Sequence, residues 1–473
     1  MLPHSPSHVA ILGGGYSGLM TLYHLIRGGL PGDSFRVFEP RAQLGRGLAY
    51  GTDNPLHLLN VPACGMSALP DDSEHFVRWL GSTVGQRAAA GLGLPSSWLA
   101  RDFVPRCLYA EYLSDLHQRA LAEAESKGIS VEHVQSAVSE VRVSADSSFA
   151  IQTAAGESYQ SAQIVLALGN HPQAATCGND PDEVLREVWH ADSATLRDDP
   201  GPIAILGTGL TMVDTVLALR GVGYQGQIVA VSRHGLLPHV HACDGAGATV
   251  AKESAAAELA QVPNGLLTLL RTLRKESISC MKQGLSWQAA VDAWRPYLPL
   301  LWASLSIRDR RRFFARLFTI WNVHRHRMAP SVGQVMADNL HSGRLRILAG
   351  CPKIAVESGR HSLTVGHRDG NGAVQLFPTQ IFDCRGMGYD VTRLPSPLLK
   401  QLLSARLLVP HQTGWGVEID ADFRAQGTAQ RSPLFVIGSL AIGDRLETTA
   451  VPELRGQAAK IAARCLAVRS DSL

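Results

Sequence analysis

The run His8 to Gly13, HVAILG, is apolar and β-branched, and it breaks directly into Gly13-x-Gly15-x-x-Gly18 before the amphipathic stretch Leu19 to Ile26. A strand, a glycine turn and a helix in that order leave few folds open. Missing β-carbons allow a tight turn, and the N–H groups of the turn and of the helix start, here Tyr16 and Ser17, face outward together as an anion site does. The next strand, Phe35 to Phe38, ends at Glu39. A carboxylate there can accept hydrogen bonds from ribose hydroxyls, so this first unit reads as a dinucleotide site.

The unit occurs twice. Residues 203–207 read IAILG, followed by Gly207-x-Gly209, a helical stretch from Thr211 to Leu219 and a strand from Ile228 to Ser232. Met212 stands where a third glycine would fall, which predicts looser packing of helix on strand. Glu39 lies 26 positions after Gly13 and Arg233 lies 26 positions after Gly207, so a cation replaces the acidic ribose reader. An arginine pairs with a 2′-phosphate where a carboxylate repels it, so the second site favours NADPH over NADH. Electron transfer from a nicotinamide to a tightly held flavin gives two such sites a purpose, which makes the first an FAD site.

The expected fold is therefore α/β, with two Rossmann-like dinucleotide-binding domains, for FAD and NADPH, and a helical insertion. Residues 1–175 form the first part of the FAD domain; residues 200–375 form the NADPH domain, with the insertion at about 250–340; residues 376–473 return to the FAD domain. Within this plan fall a helix around Glu111 to Lys127, a strand pair near 131–153, and the apolar strand Gln163 to Leu168 closed by Gly169. Strand character returns over 345–384; a strand follows at Leu434 to Ile437, then a final helix from Pro452 to Leu466.

Composition narrows the partners. With 44 basic and 41 acidic residues, the net charge of +3 is too small to draw nucleic acid or an anionic membrane, so small molecules are the expected partners and an oligomer is compatible with the rest. The eight cysteines, at 64, 107, 177, 243, 280, 351, 384 and 465, lack the short spacings of a metal knuckle or a redox dithiol; no metal is expected, and free thiols fit a cytoplasmic protein. Neither Val9 to Ile26, broken by four glycines, nor Trp287 to Ile307, with its charges and prolines, reads as a leader or a membrane span.

Longer motifs carry a resemblance. GRGLAYGTDNPLHLLNVPACGMSALPDD (45–72), PRCLYAEYL (105–113), GTGLTMVD (207–214), HRHRMAP (324–330) and ETTAVPELRGQAA (447–459) resemble a bacterial FAD/NAD(P)-binding protein family related to flavin N-hydroxylating monooxygenases, one branch of which contains FAD-dependent urate hydroxylases. The resemblance implies that Gly45, Arg46, Gly47, Ala49 and Tyr50 lie on the loop after Glu39, with Asn60 close to the flavin ring. It gives Arg106 either a contact to FAD phosphate or adenine or a helix cap. Gly169 ends a strand-and-glycine signature joining the two domains. Gly443 and Asp444 resemble the segment that binds the ribityl chain and pyrophosphate, with Gly438 as a rival. His190 lacks the neighbours of the monooxygenase fingerprint and reads as a surface histidine. His324, Arg325, His326 and Arg327 form a cationic group placed to meet NADPH phosphate or an anionic substrate, with Phe318 and Trp321 as a wall beside it.

The expected chemistry is an FAD-dependent, NADPH-consuming monooxygenation of a small molecule by molecular oxygen through a flavin hydroperoxide, with urate or an amine as substrate. Such a reaction needs positioning and exclusion of water rather than a protein nucleophile, and no catalytic base is assigned. The alternative is an FAD/NADPH oxidoreductase or redox-sensing flavoprotein without oxygenation. A disulfide reductase would require two closely spaced cysteines, which the sequence lacks.

Overall fold

The computed structural model describes residues 7–173, 185–186, 201–242, 265–357, 360–367, 372–427 and 433–470. The first sheet is built by β1 (Ser7–Leu12), β2 (Ser34–Phe38), β3 (Ser130–Val134), β4 (Val138–Val143), β5 (Phe149–Thr153) and β6 (Ser158–Leu166) in the order β3-β2-β1-β6-β5-β4. β3, β2, β1 and β6 run parallel, whereas β4, β5 and β6 are antiparallel. Only β4 and β5 form the strand pair expected near 131–153; β3 is instead the outer parallel strand beside β2.

The second sheet contains β7 (Leu185–Arg186), β8 (Ile203–Leu206), β9 (Ile228–Ser232), β10 (Leu345–Glu357), β11 (Arg360–His367), β12 (Ala373–Leu376) and β13 (Gln380–Asp383), ordered β12-β11-β10-β9-β8-β13-β7. The chain then returns to the first sheet through β14 (Leu434–Val436), parallel to the end of β6. A return at 376 is thus one strand too early. β13 is a buried apolar strand whose backbone pairs with β8, so it belongs to the second unit.

Burial explains why these segments take these places. All four residues of β8 are buried, as fits a strand covered on both faces. The helix Tyr16–Gly28 buries Leu19, Met20, Leu22, Leu25 and Ile26 and packs against the final helix Val451–Ser470, so the tail completes the core of the first unit. The helix Pro330–His341, inside the span expected for the insertion, belongs to the second unit: Val332 and Met336 share a core with Met212, Val213 and Val216. The remaining insertion helices are Leu266–Lys282, Gln288–Trp294, Leu298–Ser304, Ile307–Arg316 and Phe318–Arg325. Among the described residues no helix is long and apolar enough to cross a membrane.

Both sheets reverse their strand order at one place. From β1 the chain moves outward to β2 and β3 and comes back on the other side as β6; from β8 it moves to β9 and β10 and comes back as β13. Such switch points open a crevice at the carboxyl ends of the strands, and the two glycine turns stand at these crevices.

Candidate functional site

At the first crevice four strands end level: Leu12 pairs with Phe38 and with Leu166, and Leu166 pairs with Val436. Gly13 has φ +102°, and a β-carbon on it would lie 2.3 Å from Ala167 O. A β-carbon on Gly18 would lie 2.0 Å from Gly13 O, which brings the helix directly onto the turn. The helix Tyr16–Gly28 starts at Gly15 with no side chain capping its N–H groups, whereas serines cap the helices Thr83–Gly91, Ile307–Arg316 and Pro397–Ser404. Uncapped donors behind a glycine turn are what a pyrophosphate would satisfy. Ser17 lies in this first turn, partly exposed, and its carbonyl accepts from Thr21 Oγ1 at 2.8 Å.

Glu39 stands at the crevice with its carboxylate buried, accepting from Gly14 N at 2.9 Å and Arg41 N at 3.1 Å. A carboxylate has about four lone-pair sites, so two remain for ribose hydroxyls. Gly169 and Gly438 close the far side. Both have positive φ (+69° and +89°) and open space where a β-carbon would stand, and Ser439 Oγ donates to Gly169 O at 2.6 Å. A ligand can approach this backbone closely.

The loop after Glu39 lies over the turn. Gly45 N donates to Gly14 O at 2.7 Å, and Gly15 faces the Cα of Gly47. Arg46 pairs with Glu111 at 2.8 Å and with Asp53 at 3.4 Å, while Ala49 is exposed and Tyr50 packs against Tyr16 and Tyr109. Asn60 is tied to the second unit, its carbonyl 2.9 Å from His241 Nε2.

The second crevice repeats the first. Gly207 has φ +106°, and a β-carbon there would meet Cys384 O at 2.0 Å, as Gly13 meets Ala167 O. Gly209 is exposed and open, and it starts the helix Leu210–Gly221 without a side-chain cap; Thr211, partly exposed, lies in that first turn. Met212 is fully buried, so the second turn admits a long side chain where the first admits only hydrogen. Gly386, with φ +88° and open space, matches Gly169. Sequence reading missed it, although Cys384-x-Gly386 after an apolar strand repeats Ala167-x-Gly169.

The register corrects one comparison. Leu12 pairs with Phe38, which puts Glu39 level with Gly13, but Leu206 pairs with Val231, which puts Ser232 level with Gly207. Arg233 therefore stands one residue beyond the counterpart of Glu39, exposed, with no ion pair among the described residues. Ser232 Oγ lies 2.8 Å from Thr208 Oγ1 and accepts from Gly235 N at 3.0 Å, which fixes the turn carrying Arg233.

Several charged residues have other engagements than those expected. Arg106 donates from Nε to Leu58 O at 3.1 Å and pairs with Asp214 at 2.9 Å, joining the two units. Arg327 is bidentate to Asp292 at 2.9 and 3.0 Å and donates to His324 O. Arg325 is buried beside Glu447 at 3.3 Å and Glu453 at 3.7 Å. Both guanidinium groups of the cationic group read as phosphate or substrate contacts are thus neutralised internally, because burial demands a partner for each. His324 remains partly exposed, against His239 and Trp287, and so does His326. Asp444 accepts from Ile419 N and pairs with Arg310 and His411; burial works to raise its carboxyl, but these contacts outweigh it and hold it below the ordinary range. Gly443 O accepts from Trp302 Nε1 at 2.9 Å, while Ser439, directly after Gly438, meets Gly169 at the crevice edge. His190 lies outside the described residues.

The expected aromatic wall is present. Trp415 stacks on Phe314 at 4.3 Å and on Tyr389 at 4.6 Å, Phe318 meets Trp415 edge-on at 4.7 Å, and Trp321 Nε1 donates to the buried Glu447 at 3.1 Å. The wall also packs against Ile442, close to the crevice edge.

His57, unnoticed in the sequence, is buried beside Asp214. The Asp214 carbonyl can only accept, so Nε2 carries the proton at 3.2 Å and Nδ1 accepts from Thr52 Oγ1 at 2.8 Å. Burial lowers its pKa, Asp214 opposes, and Arg106 adds to the lowering. The unfolded chain therefore binds a proton here at higher pH than the folded one, so stability falls as pH drops below the ordinary value of about 6.5. Asp214, raised by burial against the pull of Arg106, gives the opposite slope and is common to both proteins compared. His57→Gln is expected to flatten the loss between about pH 6.5 and 5, by at most about 1.4 kcal/mol per pH unit, in urea unfolding. Parallel curves for variant and wild type would refute the assignment.

Residues 10–171 match the FAD-NAD(P)-binding family. No curated protein sequence matches the chain. Among solved structures, the ornithine N-hydroxylase of Kutzneria sp. 744 with reduced FAD, NADP+ and L-ornithine is 14% identical with a TM-score of 0.63, covering 98% of this chain and 100% of its own. The FAD-bound cadaverine monooxygenase DfoA of Erwinia amylovora is 12% identical with a TM-score of 0.65, covering 98% and 95%. The bacillithiol disulfide reductase of Bacillus cereus is 14% identical with a TM-score of 0.53, covering 98% and 100%. The two-unit dinucleotide fold is thus shared along nearly the whole chain.

Proposed function

We propose that the chain is an FAD-dependent, NADPH-consuming monooxygenase that hydroxylates a small molecule. The observation that carries this reading is the pair of switch-point crevices: one has a carboxylate level with its glycine turn, the other a hydroxyl level with its turn and an arginine one residue beyond. FAD, when bound, supplies the oxygen chemistry and NADPH the electrons. Gly13, Gly15, Tyr16, Ser17 and Gly18 would take the FAD pyrophosphate, Glu39 the ribose, and Gly169, Gly438 and Ser439 the far edge of the crevice. Gly207, Gly209, Thr211, Gly386 and Arg233 would hold NADPH. The packed rings of Tyr389, Trp415, Phe314 and Phe318, against Ile442, would shield the nearby crevice edge at Gly438 and Ser439 from water.

The named substrates of two structural neighbours, ornithine and cadaverine, are amines, which puts amines first in a substrate panel and urate second. The expected result is NADPH oxidation in air that yields hydroxylated product with one member of the panel. Hydrogen peroxide alone with every compound would exclude oxygenation and leave the FAD/NADPH oxidoreductase. Anaerobic mixing with NADPH separates the redox sensor, since an enzyme loses its flavin absorbance rapidly and a sensor does not. The likeness to a disulfide reductase brings no matching chemistry, because the eight cysteines have no closely spaced pair.

A further inference from the structure

A continuous set of contacts joins the two glycine turns. Asp214 is the fifth residue of the helix that opens at Gly209, and it pairs with Arg106 at 2.9 Å. Arg106 is the first residue of the helix Arg106–Lys127, from which Glu111 holds Arg46 at 2.8 Å. Arg46 lies between Gly45 and Gly47, which contact Gly14 and Gly15 of the first turn. A parallel strand of contacts runs through His57: its Nε2 meets Asp214 O, and its backbone carbonyl accepts from Arg106 N at 2.9 Å.

Holding the units together does not require this ion pair. Leu58 and Phe103 already pack on the core of the second unit. A buried ion pair adds little net stability over an apolar pair of similar size, because both charges lose water. Desolvation of Asp214 is strong enough to raise its carboxyl against the neighbouring guanidinium. What the pair supplies is orientation: the fork of Arg106 fixes the first turn of its own helix against the helix of the second nucleotide turn.

We propose that Asp214 and Arg106 are positioning residues through which a nucleotide at the Gly207–Gly209 turn tightens FAD binding at the Gly13–Gly18 turn. The proposal rests on the two-cofactor reading above. A ligand that orders the start of the helix Leu210–Gly221 fixes Asp214, hence Arg106, Glu111 and the loop over the first turn, so the second ligand has less to order. By linkage the effect is mutual.

The test uses the full chain stripped of flavin. FAD binding is followed by quenching of flavin fluorescence, with and without saturating NADP+, which cannot reduce it. In the wild type NADP+ is expected to tighten FAD by about five- to tenfold, an ordinary coupling. Asp214→Asn removes the charge and keeps the shape; Arg106→Met with Asp214→Leu removes both charges and leaves neither buried alone, so the test survives if the single variant fails to fold. Both are expected to bind FAD with a coupling below about twofold, and Arg106→Lys to recover part of it. A wild-type factor of one with both nucleotides bound overturns the proposal alone, as does full coupling in the charge-free double variant. Failure of the wild type to bind FAD at all overturns the cofactor reading and this proposal with it.

Discussion

Gly13→Ala is expected to yield a colourless protein that unfolds a few degrees below the wild type. Alanine at φ +102° costs about 1–2 kcal/mol in backbone strain. Its β-carbon would also stand 2.3 Å from Ala167 O, a contact that only backbone movement relieves, for about 1–3 kcal/mol more. That movement is resisted from both sides, because β6 is hydrogen-bonded to β1 on one flank and to β5 and β14 on the other. The sum, roughly 3 kcal/mol, lowers the melting temperature by on the order of 3 °C in a chain of 473 residues. Gly15→Ala is the control. Gly15 has φ −67°, and its β-carbon would lie 3.5 Å from the Cα of Gly47, ordinary contact distance. That variant is expected to melt with the wild type yet bind FAD more weakly, since the methyl group fills the approach to the uncapped helix start. Differential scanning calorimetry and the flavin absorbance of each purified variant decide the matter. A yellow Gly13→Ala protein with wild-type melting would remove the close backbone approach on which the first site depends.

The two turns were legible because their chemistry is local. A glycine needed for positive φ, or for a helix pressed on a strand, shows itself within six residues, and so do the apolar strands on either side. The charged residues were not legible because their partners are distant in the sequence. Arg106 resembles a phosphate contact until Asp214 arrives from the other unit; Arg325 and Arg327 resemble an open cationic patch until Glu447, Glu453 and Asp292 close on them. Nothing in the spacing of HRHR distinguishes a patch facing a ligand from one facing carboxylates. Register was the other hidden quantity. Gly438 and Gly443 both follow β14, and only the pairing of Val436 with Leu166 shows that the first stands at the crevice, level with Leu168 and directly before the Ser439 that meets Gly169. A switch in pairing by one residue, invisible in a count of 26 positions, likewise moved Arg233 past the counterpart of Glu39.

That shift sharpens the last prediction. If Arg233 simply replaced Glu39, the NADPH preference would rest on charge inversion at one position. Instead Ser232 occupies the level position, with its hydroxyl held by Thr208, and Arg233 follows on a turn fixed by Thr208 Oγ1 to Leu236 O at 2.6 Å and by Gly235 N to Ser232 Oγ at 3.0 Å. Among the described residues no carboxylate pairs with Arg233, and the cation is exposed at a strand end where it can reach outward. Arg233→Ala is therefore expected to raise the KM for NADPH about tenfold, as loss of a hydrogen bond to a charged group does, and the KM for NADH by less than about twofold. Because the arginine is exposed, its contribution is screened by salt. The NADPH to NADH preference of the wild type should narrow between low and high ionic strength, while that of the variant should stay flat. Steady-state reduction of the flavin with each nucleotide, at two salt concentrations, reads both effects. Equal changes for the two nucleotides would leave Arg233 an ordinary solvated side chain and remove the physical basis for preferring NADPH.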